Sequence, residues 1–187
     1  AGTSLYQANA AFGRYVVSAL DKNNNESAGS LSQIPNIVLC PNGGTTVAAL
    51  VAGNTFSWQM LQGETWTNIA NPANFSGTTT ATLTISNLPV SFYGTQLRCV
   101  ANGSSVGPVY TITFGAVWTG AVDNAWSNAG NWNCGVIPDK QIDVVIPAGV
   151  PTFPLVNGTA ASARSVLLRT GATIQLLPGN NLKISQE

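Results

Sequence analysis

The chain has 187 residues, a formal net charge of zero and no histidine. Its seven basic residues are isolated from one another, which leaves no stripe for a phosphate backbone and argues against nucleic acid as a partner. The apolar runs are short and broken by Thr, Gly or Pro, so none reaches the length of a membrane span. Without histidine, general acid–base work, Ser-His triads and His-ligated zinc all lose their usual residue. Paired carboxylates could still act, but Asp21, Glu26, Glu64, Asp123, Asp139, Asp143 and Glu187 form no paired motif. This region is therefore expected to be non-catalytic and to need no cofactor. Low charge with much Thr, Ser, Asn and Gly suits an extracellular β-protein. Ala1 is followed by neither a charged nor an apolar leader region, so a signal peptide is absent or already removed. Alternating apolar stretches recur about every ten residues between Gly, Asn and Pro clusters, the pattern of many short strands.

The first segment, 1–35, reads as a hairpin. Tyr15, Val17 and Ala19 alternate with Arg14, Val16 and Ser18, which suits a strand with one buried face. "DKNNNES" after it is turn chemistry. Asp21, Asn23 and Asn25 also space oxygen ligands as a calcium loop does, but the glycine and distal glutamate of such a loop are missing, and a polar turn is the favoured reading. "YVVSALDKNNNESA" resembles the last strands of a fibronectin type III domain. It is also similar to the fibronectin-like tail that follows the barrel in some family 10-like glycoside hydrolase proteins, which implies a catalytic domain upstream. Two strands alone bury no core, so the hairpin belongs to a domain begun earlier or docks on the next one.

The second segment, 36–115, carries Cys40, Trp58 and Cys99. "NIVLC" reads as strand B, "TFSWQML" as C, "ATLTISNL" as E, "YGTQLRCVANG" as F and "GPVYTITF" as G of a sandwich. The stretch from "FSWQML" to "LRCVANG" resembles the immunoglobulin-like repeats of large secreted surface proteins of gliding bacteria and their relatives, which use type IX secretion. Immunoglobulin domains pack a strand-C Trp on a B–F disulfide at similar spacing. The resemblance thus implies a Cys40–Cys99 bridge over Trp58, formed in an oxidising compartment and worth roughly 4 kcal/mol for a loop of about 60 residues. Leu97 stands where a tyrosine usually sits two residues before the second Cys, so the tyrosine-corner hydrogen bond is lost, and either Tyr93 substitutes or packing alone holds the corner. Trp66 is a candidate for stacking on a sugar or a partner; packing against Ile69 is the favoured alternative.

The third segment, 116–187, opens with Trp118, Trp126 and Trp132. Their spacings of eight and six are even, which on one straight strand would align all three rings for stacking on a sugar. The alternative, favoured here, is that they fill a core or cap a fold in a stretch with no other large apolar groups. In "SVLLRTGATIQLLPGNNLKI" apolar pairs recur at Val166–Leu168, Ile174–Leu176 and Leu182–Ile184 between Gly or Asn turns, which reads as three rungs of a β-solenoid or β-roll, with the chain ending inside its parent protein. The anchors Trp118 to Ala121, Trp126, Asn131–Trp132, Asp143 to Pro147 and Gly171–Ala172 resemble a module of the same secreted proteins that often precedes a type IX sorting domain. Cys134 is expected to be a free, buried thiol. Asp143 is expected to cap a turn rather than bind calcium.

The expectation is an all-β chain: an immunoglobulin-like sandwich flanked by a fibronectin-like hairpin and a solenoid-like module. Its expected role is spacing, display or adhesion in a secreted or cell-surface bacterial protein. The expected partners are other domains of the same large chain, and the rival reading is an accessory region binding polysaccharide or a cell-surface glycan.

Overall fold

The computed structural model describes residues 36–70, 73–158 and 161–185 in full, and the backbone of three strands before them. Those three, β1 (Thr3–Tyr6), β2 (Tyr15–Ala19) and β3 (Ser30–Ser32), form an antiparallel sheet in the order β1-β2-β3. The calcium candidates Asp21, Asn23 and Asn25 lie outside the described residues.

The sandwich follows in eight strands: β4 (Asn36–Leu39), β5 (Gly43–Ala48), β6 (Phe56–Gln62), β7 (Thr65–Asn68), β8 (Phe75–Ser76), β9 (Thr82–Leu88), β10 (Gln96–Ala101) and β11 (Ser105–Val117). One sheet runs β4-β11-β10-β6-β7 and the facing sheet β5-β9-β8. The strand alternation needed for two inner faces is present: Trp58, Leu83, Ile85, Leu97, Cys99, Ile112 and Phe114 are all buried at 2% exposure or less. The β10–β11 hairpin turns on Asn102 (φ 50°) and Gly103 (φ 72°), the left-handed central pair of a tight turn closed by the Ser104 amide, which donates to the Ala101 carbonyl.

Two expectations change here. "NIVLC" is not the strand facing Cys99 across the sandwich. β4 runs parallel to β11, at the edge of the sheet that already contains Cys99, and β5 takes the facing position beside β9. Leu39 is buried in the core, so strand alternation turns Cys40 away from it. Cys99 sits beside Trp58 on the neighbouring strand, facing inward. The expected Cys40–Cys99 bridge is thus replaced by Cys40–Cys134, and Cys99 is a buried free thiol. Cys134, expected to be free, is the partner that sequence reasoning passed over.

The third region is a three-sided parallel solenoid. Its strands are β12 (Asp143–Ile146), β13 (Leu155–Val156), β14 (Ala161–Ala163), β15 (Ser165–Leu168), β16 (Gln175–Leu176) and β17 (Leu182–Ile184). β12 stacks on β15, β13 on β16 and β14 on β17, at offsets of 22, 20 and 21 residues. A coil is therefore about 21 residues, and the pairs Val166–Leu168, Ile174–Leu176 and Leu182–Ile184 are three sides of one coil, not three rungs. Left-handed glycines, Gly171 (φ 87°) and Gly179 (φ 82°), turn the chain from one side to the next. Along the outer edge of this second coil, Leu168, Leu176 and Ile184 remain 44–46% exposed.

Sandwich and solenoid share a strand. β11 pairs with β10 and β4 along the sandwich, and its last residues, Gly115 to Val117, pair in parallel with Asp143 to Val145 of β12. The expected boundary between 115 and 116 falls inside this strand. A single seven-stranded sheet results, from β7 through β11 and β12 to β15.

Candidate functional site: the joint between sandwich and solenoid

The tryptophan stretch builds the mouth of the solenoid. Trp118, Trp126 and Trp132 are buried, at 0%, 2% and 3% exposure. Trp132 stands edge-on to both others, with ring centroids 5.0 Å from Trp118 and 4.8 Å from Trp126. These are the T-shaped arrangements that the ring quadrupoles favour. Trp118 Nε1 donates to the Thr152 carbonyl at 2.7 Å, and Trp132 Nε1 donates to the Trp126 carbonyl at 2.9 Å. Trp126 Nε1 is buried without a hydrogen-bond partner among the described residues. The three rings are a core, and the structure removes Trp118, Trp126 and Trp132 as ligand-stacking candidates. Even spacing misleads because the chain between them is not a straight strand. Gly120 turns at φ 58°, where a Cβ would run into the Thr152 carbonyl, and Ala129–Asn131 forms a 3-10 turn.

Asn131 holds that bend. It is wholly buried, and all of its amide capacity is used. Its Oδ1 accepts from the Val122 and Asp123 amides at 3.0 Å each, and its Nδ2 donates to Asp123 Oδ1 at 2.6 Å and to the Ala125 carbonyl at 3.0 Å. Asp123 also accepts from Asn128 Nδ2 and the Ala125 amide, and these donors, Asn128 first, hold its carboxyl below its ordinary value. Asn131→Ala is expected to cost roughly 2–3 kcal/mol, because two backbone amides, a carbonyl and the Asp123 carboxylate lose a buried side-chain partner together. Urea unfolding checks this. Asn131→Asp is expected to rescue little, since it sets a second carboxylate against Asp123.

The contact with the sandwich centres on Asp143, at the start of β12. Rather than capping a turn, Asp143 accepts from Tyr93 Oη at 2.6 Å through Oδ2, and from Ser165 Oγ at 2.5 Å through Oδ1. Arg164 Nη1 lies 3.4 Å from Oδ1, and the Arg164 guanidinium stacks 4.1 Å over the Tyr93 ring. Tyr93 therefore does not serve a tyrosine corner; it reaches out of the sandwich to the first coil, and buried Leu97 fills the corner position by packing. Burial first, then the bond to Asp143, push the Tyr93 hydroxyl from 10.0 up to about 12. Because the raised value favours the protonated hydroxyl in the fold, this contribution is present below pH 10 and is lost as pH rises through about 12. Tyr93→Phe is expected to abolish that alkaline loss and to cost roughly 1–2 kcal/mol at neutral pH, read as urea midpoints across a pH series.

Two clefts flank Tyr93. One, of about 290 Å3, is walled by Val38, Thr113, Val117, Asn133, Asp143 and Val145. The other, of about 320 Å3, is lined by Tyr93, Lys140, Gln141, Arg164 and Ser185. The Asp143 carboxylate, in the wall of the first, is already engaged with donors from both modules. The Cys40–Cys134 bridge closes the same joint, with Cα atoms 5.4 Å apart.

Trp66 is the one tryptophan that stays half-buried. It lies on the outer face of β7 opposite Leu61, under the Arg98 guanidinium at 4.3 Å. Ile69, its expected packing partner, points instead into the sandwich core. Arg98 Nε donates to Gln59 Oε1 at 2.9 Å, and Gln59 Nε2 donates to Asn68 Oδ1 at 3.2 Å.

Sequence reasoning missed Tyr93, Arg164, Ser165 and Asn131 as joint residues. A signal existed only for Asn131, which stands beside Trp132 in the anchor motif; the others meet Asp143 across chain separations of 50, 21 and 22 residues.

These features define an all-β protein in which an immunoglobulin-like sandwich and a parallel solenoid are fused through one strand. It carries one disulfide, and no helix among the described residues is long and apolar enough to cross a membrane. Residues 117–187 match the sequence model of a family described as a domain of unknown function (DUF8693). The match starts at the last residue of β11, so it takes in the tryptophan stretch and both coils and leaves the sandwich outside. No curated protein matches the chain.

Proposed function

We propose that this chain is a non-catalytic spacer and display region of a larger secreted or cell-surface bacterial protein, holding neighbouring domains at a fixed separation. The observation that carries the reading is the joint. A shared strand, a disulfide and the Tyr93–Asp143 bond tie sandwich to solenoid in three different ways. Independent domains on flexible linkers are the usual default, and a triple tie opposes that default. The bridge also suits an oxidising compartment. The test is nuclear magnetic resonance of the aligned chain. Residual dipolar couplings from residues 36–114 and 143–184 are expected to fit one alignment tensor. Two tensors of different magnitude would show the modules reorienting and would remove the basis for a spacer.

A glycan-binding role is the second reading, and one observation favours it: half-buried Trp66, set beside Arg98, Gln59 and Asn68 on an outer sheet face. An aromatic ring on a face that also carries a guanidinium and two amides is a composition that saccharide sites use. Saturable quenching of tryptophan fluorescence by one polysaccharide, lost in Trp66→Ala and kept in Trp66→Phe, would support it. No quenching across a polysaccharide panel would leave the spacer reading alone.

A further inference from the structure

We infer that the Cys40–Cys134 bridge takes the immunoglobulin-like sandwich out of the path of mechanical load, so that tension applied to the ends of the chain passes from the N-terminal segment directly into the solenoid. The idea builds on the spacer reading for its use, and on chain connectivity for its physics. The two sulfurs join positions 94 residues apart in sequence whose Cα atoms lie 5.4 Å apart in space. Everything between them is a closed loop. That loop contains β5 through β11, the whole tryptophan cluster, and Asn131 with its network.

A covalent tether across the ends of a loop carries the tension that would otherwise run along it. The loop itself then bears none, however weak its own hydrogen bonds are. Only β4 of the sandwich strands lies before the bridge, so it alone is pulled directly, against its four register pairs with β11. After the bridge the load enters β12 to β17. These stack by parallel pairing of two to four residues per strand, and can unwind coil by coil. The sandwich would survive an overload that strips the coils, leaving the template strand β11 in place for them to rewind on.

Without the bridge, the 93 residues between the two cysteines become extensible. At a fully extended length of about 3.6 Å per residue they would release roughly 330 Å. The folded span to be subtracted is only the 5.4 Å between the two Cα atoms.

The experiment is single-molecule pulling of the full chain from its two ends, comparing the native protein with Cys40→Ser/Cys134→Ser. The bridged chain is expected to lengthen only by the segments outside the loop, and never by a sandwich-sized step. The unbridged variant is expected to add about 330 Å of contour length. A step of that size in the bridged chain overturns the inference. So does its absence in a variant whose near-ultraviolet circular dichroism is native. If the variant does not fold, the native chain held under tension is exposed to a phosphine reductant. An added step of about 330 Å on cleavage supports the load path, and no added step overturns it. These results are separate from the alignment-tensor test, which can fail while the load path stands.

Discussion

Trp132→Ala is expected to lower stability by roughly 3–5 kcal/mol, the range for deleting a large buried aromatic side chain. For a chain of this size that corresponds to a fall in Tm of roughly 6–20 °C. Three losses coincide. The ring is 3% exposed and sits between Trp118 and Trp126, so its removal opens a cavity between two large neighbours. Both edge-to-face contacts go with it. The Trp126 carbonyl also loses the donor that satisfies it within the core. Because β12 pairs with β11 just beside this cluster, the damage should reach Asp143 and the Tyr93 contact. Trp66→Ala, on a half-exposed outer face, is the control, and is expected to cost about 1 kcal/mol, in the range of an exposed cation–π pair. Thermal unfolding of the two variants checks the pair. A Trp132→Ala loss as small as that of Trp66→Ala would mean that the three rings do not form the core described.

The second large effect concerns the bridge. Cys40→Ser with Cys134→Ser removes a loop of 94 residues from the denatured ensemble's constraints. The chain-entropy account puts this at about 4.7 kcal/mol. Cys99→Ala deletes only a small buried side chain and is expected to cost about 1 kcal/mol. If the immunoglobulin pattern of a Cys40–Cys99 bridge held, Cys99→Ala would cost about as much as the double variant, since either would break the bridge, and Cys134→Ser alone would cost little. Peptide mapping under non-reducing conditions reads the same question directly. A peptide joining Cys40 to Cys134 is expected, with Cys99 alkylated only after unfolding, because burial raises its thiol pKa and keeps it from solvent. Recovery of a Cys40–Cys99 peptide would contradict the fold at the joint.

How far the sequence could be read follows from which forces are local. Alternation placed Trp58, Leu83, Ile85, Leu97, Ile112 and Phe114 on inner faces, because a strand's period of two is a property of the strand alone. The solenoid's turns were legible for the same reason: a left-handed glycine marks a corner wherever it occurs. What those corners enclose was not legible. A ten-residue repeat fits a whole rung or one side of a triangular coil, and only the 20–22 residue offsets between stacked strands decide between them. The disulfide failed by analogy. Cys40 and Cys99 had the right separation for an immunoglobulin bridge, yet one strand earlier in the sandwich means the neighbouring edge instead of the facing sheet. The joint was hidden for a third reason. Tyr93, Asp143 and Arg164 carry no shared motif, and their meeting depends on β11 continuing past the sandwich.

That continuation also bears on how the chain folds. Parallel strands are slow to nucleate, since the first coil must close about 21 residues of chain before it gains its hydrogen bonds. Here the first coil is not a nucleus. Gly115 to Val117 belong to a strand that the sandwich has already fixed, and β12 adds to a preformed edge. The slow step is thereby expected to give way to growth on a template, one side at a time, away from the sandwich. Pulse-labelled hydrogen exchange during refolding should show amides of residues 111–114 protected before those of 143–146; simultaneous or reversed protection would refute a templated order. Since a ribosome also delivers the sandwich before the coils, the order of synthesis and the order of folding coincide, and the solenoid emerges with its starting edge waiting for it.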